Sequence, residues 1–185
     1  QIRALHQDCK GTQFELPFLL AVWLGLRTSE IRGLTWDCVE GETLVIKQAM
    51  VEGEHGPELK QPKTYSGNRR LRLPPYIRQL LADTPHKDDY VIHYTRNAMY
   101  NRLQRACDRC GIPRFRFHDL RHVNASVMLG LNIPDKYAME RMGHATNNML
   151  KTVYQHTMSE KSKQVADTVD SYFTDELLTD LHTDS

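Results

Sequence analysis

Residues 14–26, FELPFLLAVWLGL, are apolar almost throughout. A helix built from them has no polar face, so it fits a protein only if it is buried on most sides by other elements. Pro17 is tolerated because it falls in the first turn. The run is shorter than the roughly 18 to 20 residues of a membrane span and contains Pro17 and Gly25, so a core helix is expected and no membrane attachment. A chain of 185 residues with 40% hydrophobic side chains and mixed charge suits one soluble globular domain. It starts at Gln1 without a signal-peptide pattern, and is expected to be part of a longer protein.

Polar residues begin where this run ends. Arg27-Thr28-Ser29-Glu30 follows it. Thr28 or Ser29 can cap a second helix, with Glu30 favoured by the dipole in its first turn. Ile31 and Leu34 continue the apolar face and Trp36 closes it. Arg27 then stands at a turn between two helices. It is either a rigidly mounted guanidinium or an Arg snorkelling from a helix end.

Residues 43–51, TLVIKQAMV, read as a strand bounded by Gly41 and Gly53. Residues 51–62 read as a loop, or as a loop leading into a short second strand. Residues 69–73 alternate as a half-buried strand with a basic outer face. Between them Lys63-Thr64-Tyr65-Ser66-Gly67-Asn68 has turn chemistry. Lys63 is expected on or beside a hairpin turn, where it can reach into a groove or simply be solvated. A short helix follows over 74–82, with Ile77, Leu80 and Leu81 inward. Thr95 caps a helix running to about Cys110, with Met99, Leu103, Ala106 and Cys110 inward. Its other face carries Arg102, Arg105 and Arg109, spaced to lie along a backbone of phosphates, and Gly111 and Pro113 end it.

Charge is unevenly spread. The net value is +1, but residues 159–185 hold seven acids against two Lys, leaving +6 for residues 1–158. Residues 60–82 hold Lys60, Lys63, Arg69, Arg70, Arg72 and Arg78 and no acid. A basic body points to a polyanion partner, or to ordinary solvated faces. The four cysteines, Cys9, Cys38, Cys107 and Cys110, do not suit a disulfide framework at this size, so a reducing cytoplasm is expected. Cys107 and Cys110 have C-x-x-C spacing. A zinc site would need two further ligands, and none is evident; the alternative is two half-buried thiols one helical turn apart.

The densest chemistry lies in residues 115–157, which hold His118, Arg121, His122, His144 and Tyr154. With His118 in the first turn of a helix and roughly 100° per residue, Leu120, Val123 and Val127 fall on one side. His118, Arg121, His122 and Ala125 fall on the other. The apolar side is expected to anchor the helix and the polar side to face out. Gly130 and Asn132 end it. Pro134 starts another helix with Ala138, Met139 and Met142 on its apolar face, and Gly143 breaks that one before His144. Thr146 can cap a last helix or turn carrying Met149, Leu150, Val153 and Tyr154. From residue 159, Val165, Val169, Tyr172 or Phe173, and Leu177 recur as an amphipathic helix. That helix packs on its own domain or on a neighbouring subunit.

Two Arg and a His gathered in a groove can hold a phosphodiester and neutralise the charge that builds on its non-bridging oxygens. They can thereby do work that many phosphoryl-transfer enzymes give to metal ions. Neither a carboxylate cluster for Mg²⁺, a Walker loop nor a zinc signature is evident, and no cofactor or metal is expected. Tyr, with a free pKa of about 10, becomes a usable nucleophile in a cationic pocket with a His to take its proton.

These motifs together resemble the catalytic domain of the tyrosine recombinases, the phage integrase family. Gly25-Leu26-Arg27-Thr28-Ser29-Glu30-Ile31 is similar to the family's first arginine box, G-L-R-x-S-E-[LI]. Pro62-Lys63-Thr64, then Ser66 and Arg69-Arg70, resemble its β-hairpin lysine segment. His118-Asp119-Leu120-Arg121-His122 with Ala125-Ser126 resembles the H-x-L-R-H box, and Met142-Gly143-His144 with Tyr154 the closing G-H…Y box. Four boxes in this order are far more specific than any one alone, and they run over residues 14–157.

The resemblance implies an α+β fold, mainly α-helical, with a small antiparallel β-sheet at one edge. The catalytic domain would cover residues 1–158, and residues 159–185 a C-terminal amphipathic helix and acidic tail. It implies that Tyr154 attacks the scissile phosphate, giving a 3′-phosphotyrosyl link and a free 5′-OH, without metal or ATP. Arg27 and Arg121 would clamp the phosphate and Lys63 would protonate the leaving oxygen. His118 would assist proton transfer from Tyr154, and His144 would hydrogen-bond the phosphate. Glu30 supports the site from behind; His122 does the same or is structural. Lys60, Arg69, Arg70, Arg102 and Arg105 are expected to contact DNA. The implied partners are double-stranded DNA attachment sites and, on DNA, three further copies in a homotetramer; the chain alone is expected to be a monomer. Full-length members carry an N-terminal core-binding domain, and many an arm-binding one; neither is expected within these residues. The implied setting is the nucleoid of a bacterial host, as an integrase of a phage or other mobile element. The alternatives are a chromosome-dimer resolvase, a transposon or integron recombinase, a type IB topoisomerase-like enzyme, or a DNA-binding module without catalysis.

Overall fold

The structure is a computed structural model and describes residues 1–61 and 68–143. In chain order its elements are helices α1 (Ile2–Cys9), α2 (Glu15–Val22) and α3 (Thr28–Arg32), and a 3₁₀ turn, Trp36–Cys38. Strands β1 (Val39–Glu40), β2 (Thr43–Ile46), β3 (Ala49–Gly53), β4 (Gly56–Lys60) and β5 (Arg69–Arg72) follow. Helices α4 (Pro75–Ala82), α5 (Arg96–Cys110), α6 (Asp119–Gly130) and α7 (Asp135–Met142) close the series. None of the described helices is long and apolar enough to cross a membrane.

The apolar run forms α2 as expected, and every residue from Glu15 to Ala21 is buried. Helices α1, α3, α4 and α6 all pack on it. The one acid inside, Glu15, is tolerated because three donors converge on it. The Gly11 N–H lies 2.6 Å away, the Tyr76 hydroxyl 2.6 Å and His6 Nε2 2.8 Å. Just past the end of α2 the chain turns at Gly25, whose φ of +70° suits glycine. A Cβ there would meet Met142 Sδ at 2.8 Å and Asn124 Oδ1 at 3.0 Å, so side chains of α6 and α7 both pack against this turn.

Helix α5 matches its sequence signals. The Thr95 hydroxyl accepts from the Ala98 N–H at 3.1 Å, Met99, Leu103 and Ala106 are buried, and Gly111 ends the helix at φ +64°. Helix α1 was not anticipated; its Leu5 and Cys9 are buried and it packs on α5. Cys107 is buried beside half-buried Cys110, both as free thiols, and no group of three His, Cys, Asp or Glu among the described residues could hold a metal ion.

The expected strand over 43–51 is two strands in two sheets. One sheet has the order β1-β2-β5, antiparallel, with Leu44 opposite Leu71 and Ile46 opposite Arg69. The other is the β3-β4 hairpin, Ala49 opposite Lys60. The break has a physical cause. Gln48 turns its amide to the Gly33 carbonyl at 2.9 Å and the Thr35 hydroxyl at 2.7 Å. Beyond it, the β3 backbone lies so close to Gly33 that a Cβ there would sit 2.7 Å from the Met50 nitrogen. Strands β4 and β5 therefore belong to different sheets. Lys63 itself lies outside the described residues.

Candidate active site

Arg27 is the N-cap of α3, a role expected of Thr28 or Ser29. Its backbone N–H is taken by Glu30 Oε2 at 2.8 Å, and its Nη1 donates to Glu30 Oε1 at 2.7 Å. Nη2 donates to the Gly143 carbonyl at 2.9 Å. The side chain is half-buried, so its guanidinium is held by the helix start yet still meets solvent.

Arg121 corrects the expected orientation of α6. The helix buries Leu120, Arg121, Asn124, Ala125, Met128 and Leu129, and leaves Val127 exposed. Arg121 and Ala125 thus face inward, and of the expected apolar stripe Leu120 is buried, Val123 half-buried and Val127 exposed. A buried guanidinium overrides the apolar count because it finds backbone acceptors: Nη1 donates to the Gly25 carbonyl and Nη2 to the Met142 carbonyl. Burial, then repulsion from Arg27, lowers its pKa to about 9, with Glu30 opposing, so it remains a cation at neutral pH. Asn124, one turn on, donates to the Val22 and Trp23 carbonyls at 3.1 and 2.8 Å and so caps the end of α2.

Arg69 is the larger surprise. It was expected on the DNA-facing side of its strand, yet it is only 6% exposed. Its Nη1 and Nη2 donate to Glu30 Oε1 and Oε2 at 3.0 and 2.9 Å, and its Nε to the Arg141 carbonyl at 2.8 Å. This guanidinium is enclosed by the protein. The alternation carried a signal: in β5, Arg69 and Leu71 share the buried face and Arg70 and Arg72 the exposed one.

Glu30 is therefore shared between Arg27 and Arg69. Burial raises its pKa, but the Arg69 hydrogen bonds and charge and the Arg27 charge outweigh it and hold it at about 2. Three guanidinium groups and one carboxylate leave an excess of positive charge in a poorly hydrated place, an environment suited to a bound anion.

His118 precedes α6 and is solvent-exposed, while its neighbour His122 is half-buried; their rings meet edge to face at 5.0 Å. Desolvation, then His122 and Arg121, lowers the His118 pKa against the opposing pull of Asp119. That direction favours the neutral imidazole, the form able to accept a proton. His118, Arg27, Arg32 and Arg96 line an open cleft of about 450 Å³ whose other wall is Met50, Val51 and Glu52. Arg32, which pairs with Glu52 at 3.0 Å, and Arg96 were not singled out from sequence. The remaining expected DNA contacts are on the surface. Lys60 pairs with Glu58 and Arg70 with Glu40, both at 2.6 Å, and Arg102 and Arg105 are exposed on α5. His144 and Tyr154 lie outside the described residues.

A family model described as the phage integrase family matches residues 1–161. A protein named as a prophage phiRv2 integrase of Mycobacterium tuberculosis is 27% identical over 164 residues, covering 80% of this chain and 44% of the relative. A protein named tyrosine recombinase XerC-like, from Caldanaerobacter subterraneus subsp. tengcongensis, is 23% identical over 207 residues, covering 94% of this chain and 53% of the relative. The chain thus spans about half the length of the curated relatives it matches. Among solved structures, the Tn1549 transposon integrase in complex with transposon right end DNA superposes with a TM-score of 0.73 at 16% identity, over 89% of this chain and 63% of that one. XerH site-specific recombinase bound to its palindromic difH substrate gives 0.63 at 18% identity, over 91% of this chain and 51% of that one. The fold is that of these catalytic domains: mainly helical, with small antiparallel sheets.

Proposed function

Because the chain belongs to the phage integrase family, we propose that it is the catalytic part of a site-specific DNA recombinase, and that Tyr154 is its nucleophile. The Tyr154 oxygen attacks the scissile phosphorus, the bond to the 5′ oxygen breaks, and the 5′ oxygen leaves with a proton from Lys63. His118 takes the phenolic proton. Arg27 and Arg121 neutralise the non-bridging oxygens as charge builds on them, and His144 hydrogen-bonds the same group. The new phosphotyrosyl ester keeps the energy of the broken bond, so a free 5′-OH can reverse the step without ATP. Neither a metal ion nor a cofactor has a role in this scheme.

The observation that carries this reading is the meeting of Arg27 and Arg121 on the last carbonyls of α7, with a surplus of positive charge around Glu30 and with Arg27 opening onto the cleft beside His118. Residues 1–158 would form the catalytic domain and residues 159–185 a tail used in assembly. The polyanion is double-stranded DNA, approached over the arginine face of α5 and the exposed Arg70. Assembly into a homotetramer on DNA is supported by an apolar groove bearing exposed Trp23, Val127, Leu131, Ile133 and Tyr137. The setting would be the bacterial cytoplasm, and the role that of an integrase of a phage or other mobile element. The names of the relatives are also compatible with a resolvase or transposon role of the same chemistry.

The test is a nicked duplex carrying the element's attachment site, incubated with the intact protein that contains this chain. A covalent protein–DNA adduct is expected, unchanged by EDTA and abolished in Tyr154→Phe with DNA binding retained. An adduct that survives Tyr154→Phe refutes the assignment of the nucleophile, and specific binding without any adduct favours a non-catalytic DNA-binding module.

A further inference from the structure

The last turn of α7 presents three consecutive carbonyls, and each accepts from a different arginine. Arg69 Nε binds the Arg141 carbonyl at 2.8 Å, Arg121 Nη2 that of Met142, and Arg27 Nη2 that of Gly143 at 2.9 Å. The final carbonyls of a helix have no N–H partner of their own, and the dipole there favours cations. The arginines come from three elements: Arg27 from the start of α3, Arg69 from β5, Arg121 from α6. Arg27 and Arg121 have assigned work on the phosphate. Arg69 has none, although Nε, Nη1 and Nη2 of its side chain all donate.

We propose that Arg69 is a positioning residue for strand cleavage: it ties Glu30 to the end of α7, and so fixes both the aim of Arg27 and the point at which the chain leaves α7, one residue before His144. The inference rests on the recombinase reading of this site. A planar fork suits the task, because two Nη groups grip both oxygens of Glu30 while Nε reaches a third acceptor in the same plane. A lysine offers one compact charge and cannot span these positions. All three nitrogens of the Arg69 guanidinium already donate within the protein, so its influence on the reaction passes through Glu30 and Arg27.

The experiment compares wild type with Arg69→Lys in the intact protein on the nicked attachment-site duplex. It measures single-turnover adduct formation per folded molecule, DNA affinity, and the pH dependence of the rate. Arg69→Lys is expected to slow cleavage by about 10²-fold, the scale of an ångström-level misplacement of a reacting group, while DNA affinity is unchanged. The groups facing Glu30 are Arg27, Arg69 and Arg121. Weakening the strongest of them raises the Glu30 pKa, so the variant also loses rate at mildly acid pH where wild type does not. Combining it with Glu30→Gln is expected to add little further loss, because both changes cut the same link. Equal rates and pH profiles in wild type and Arg69→Lys overturn the proposal. So does a loss of DNA affinity matching the loss of rate, which would make Arg69 a direct phosphate contact. If Arg69→Lys and the alternative Arg69→Gln both fail to fold, Arg69 is a requirement of the fold alone and the proposal falls. A wild-type protein that binds the duplex and forms no adduct overturns the recombinase reading, and the inference with it.

Discussion

Two sets of arginines in this molecule show what residue counts conceal. Around α5 and its flanks, arginines pair one to one with acids: Arg109 with Asp8, Arg114 with Asp108, Arg116 with Asp119. The three arginine side chains are more than half exposed, and their charges cancel locally. At the end of α7, Arg27, Arg69 and Arg121 converge on a single carboxylate and a row of carbonyls. There the charges do not cancel. These three pairs are locally neutral and contribute little to stability. The second is an unbalanced cluster that the fold sustains through Glu30 and backbone dipoles, and its imbalance is what suits it to an anion.

The strongest way to break this contrast is to delete a buried member. Arg121→Ala is expected to slow adduct formation by about 10³-fold or more, measured in single turnover at saturating DNA. It should also lower the melting temperature, since the Gly25 and Met142 carbonyls lose their donors. A near-normal rate would refute the clamp role.

Glu30→Gln ranks next. Removing the acid of a buried pair leaves its cations uncompensated, at a cost of about 3–5 kcal/mol in a urea titration. The acid dependence has a definite sign. The Glu30 pKa, ordinarily 4.5, is depressed to about 2 in the fold. Its contribution to stability is therefore present above pH 4.5 and is lost as pH falls towards 2. Wild type should lose stability steadily across that window, and Glu30→Gln should lose less of it. Parallel acid curves for the two would mean that Glu30 is not held ionised by the cluster.

Much of this arrangement was legible in the sequence. The buried helix over 14–26, the capped helix from Thr95 and the stop at Gly143 follow from local rules that tertiary contacts left in place. The resemblance of four boxes to one family set Arg27 and Arg121 in one site, and the two guanidinium groups do meet on adjacent carbonyls at the end of α7. What was not legible depends on contacts distant in the chain. The face of α6 was misjudged because helical periodicity weighs Val127 as apolar and Arg121 as polar. It cannot know that Gly25 and Met142 offer carbonyls to a guanidinium. Arg69 was assigned to the surface from the basic character of its segment, although the period-two pattern put it beside Leu71. The strand over 43–51 was read as one piece because no local signal reports that Gly33 lets the β3 backbone come so close.

The surface set offers the smaller test. Arg102 and Arg105 are exposed on α5 and have no ion-pair partner among the described residues. Arg109 beside them is spent on Asp8, at 2.7 and 2.6 Å. If the α5 face runs along DNA, Arg102→Ala and Arg105→Ala should each weaken binding modestly and lower the slope of log K against log salt by about one. Single-turnover cleavage at saturating DNA should stay unchanged. Arg109→Ala should leave the salt slope alone and cost less than about 1 kcal/mol of stability, as an exposed ion pair does. If all three substitutions lower the slope equally, pairing with Asp8 does not withhold Arg109 from DNA, and the division between a balanced surface and an unbalanced site would have to be redrawn. If none of them does, the DNA path lies away from α5 and across the cleft that holds Arg96 and Arg32.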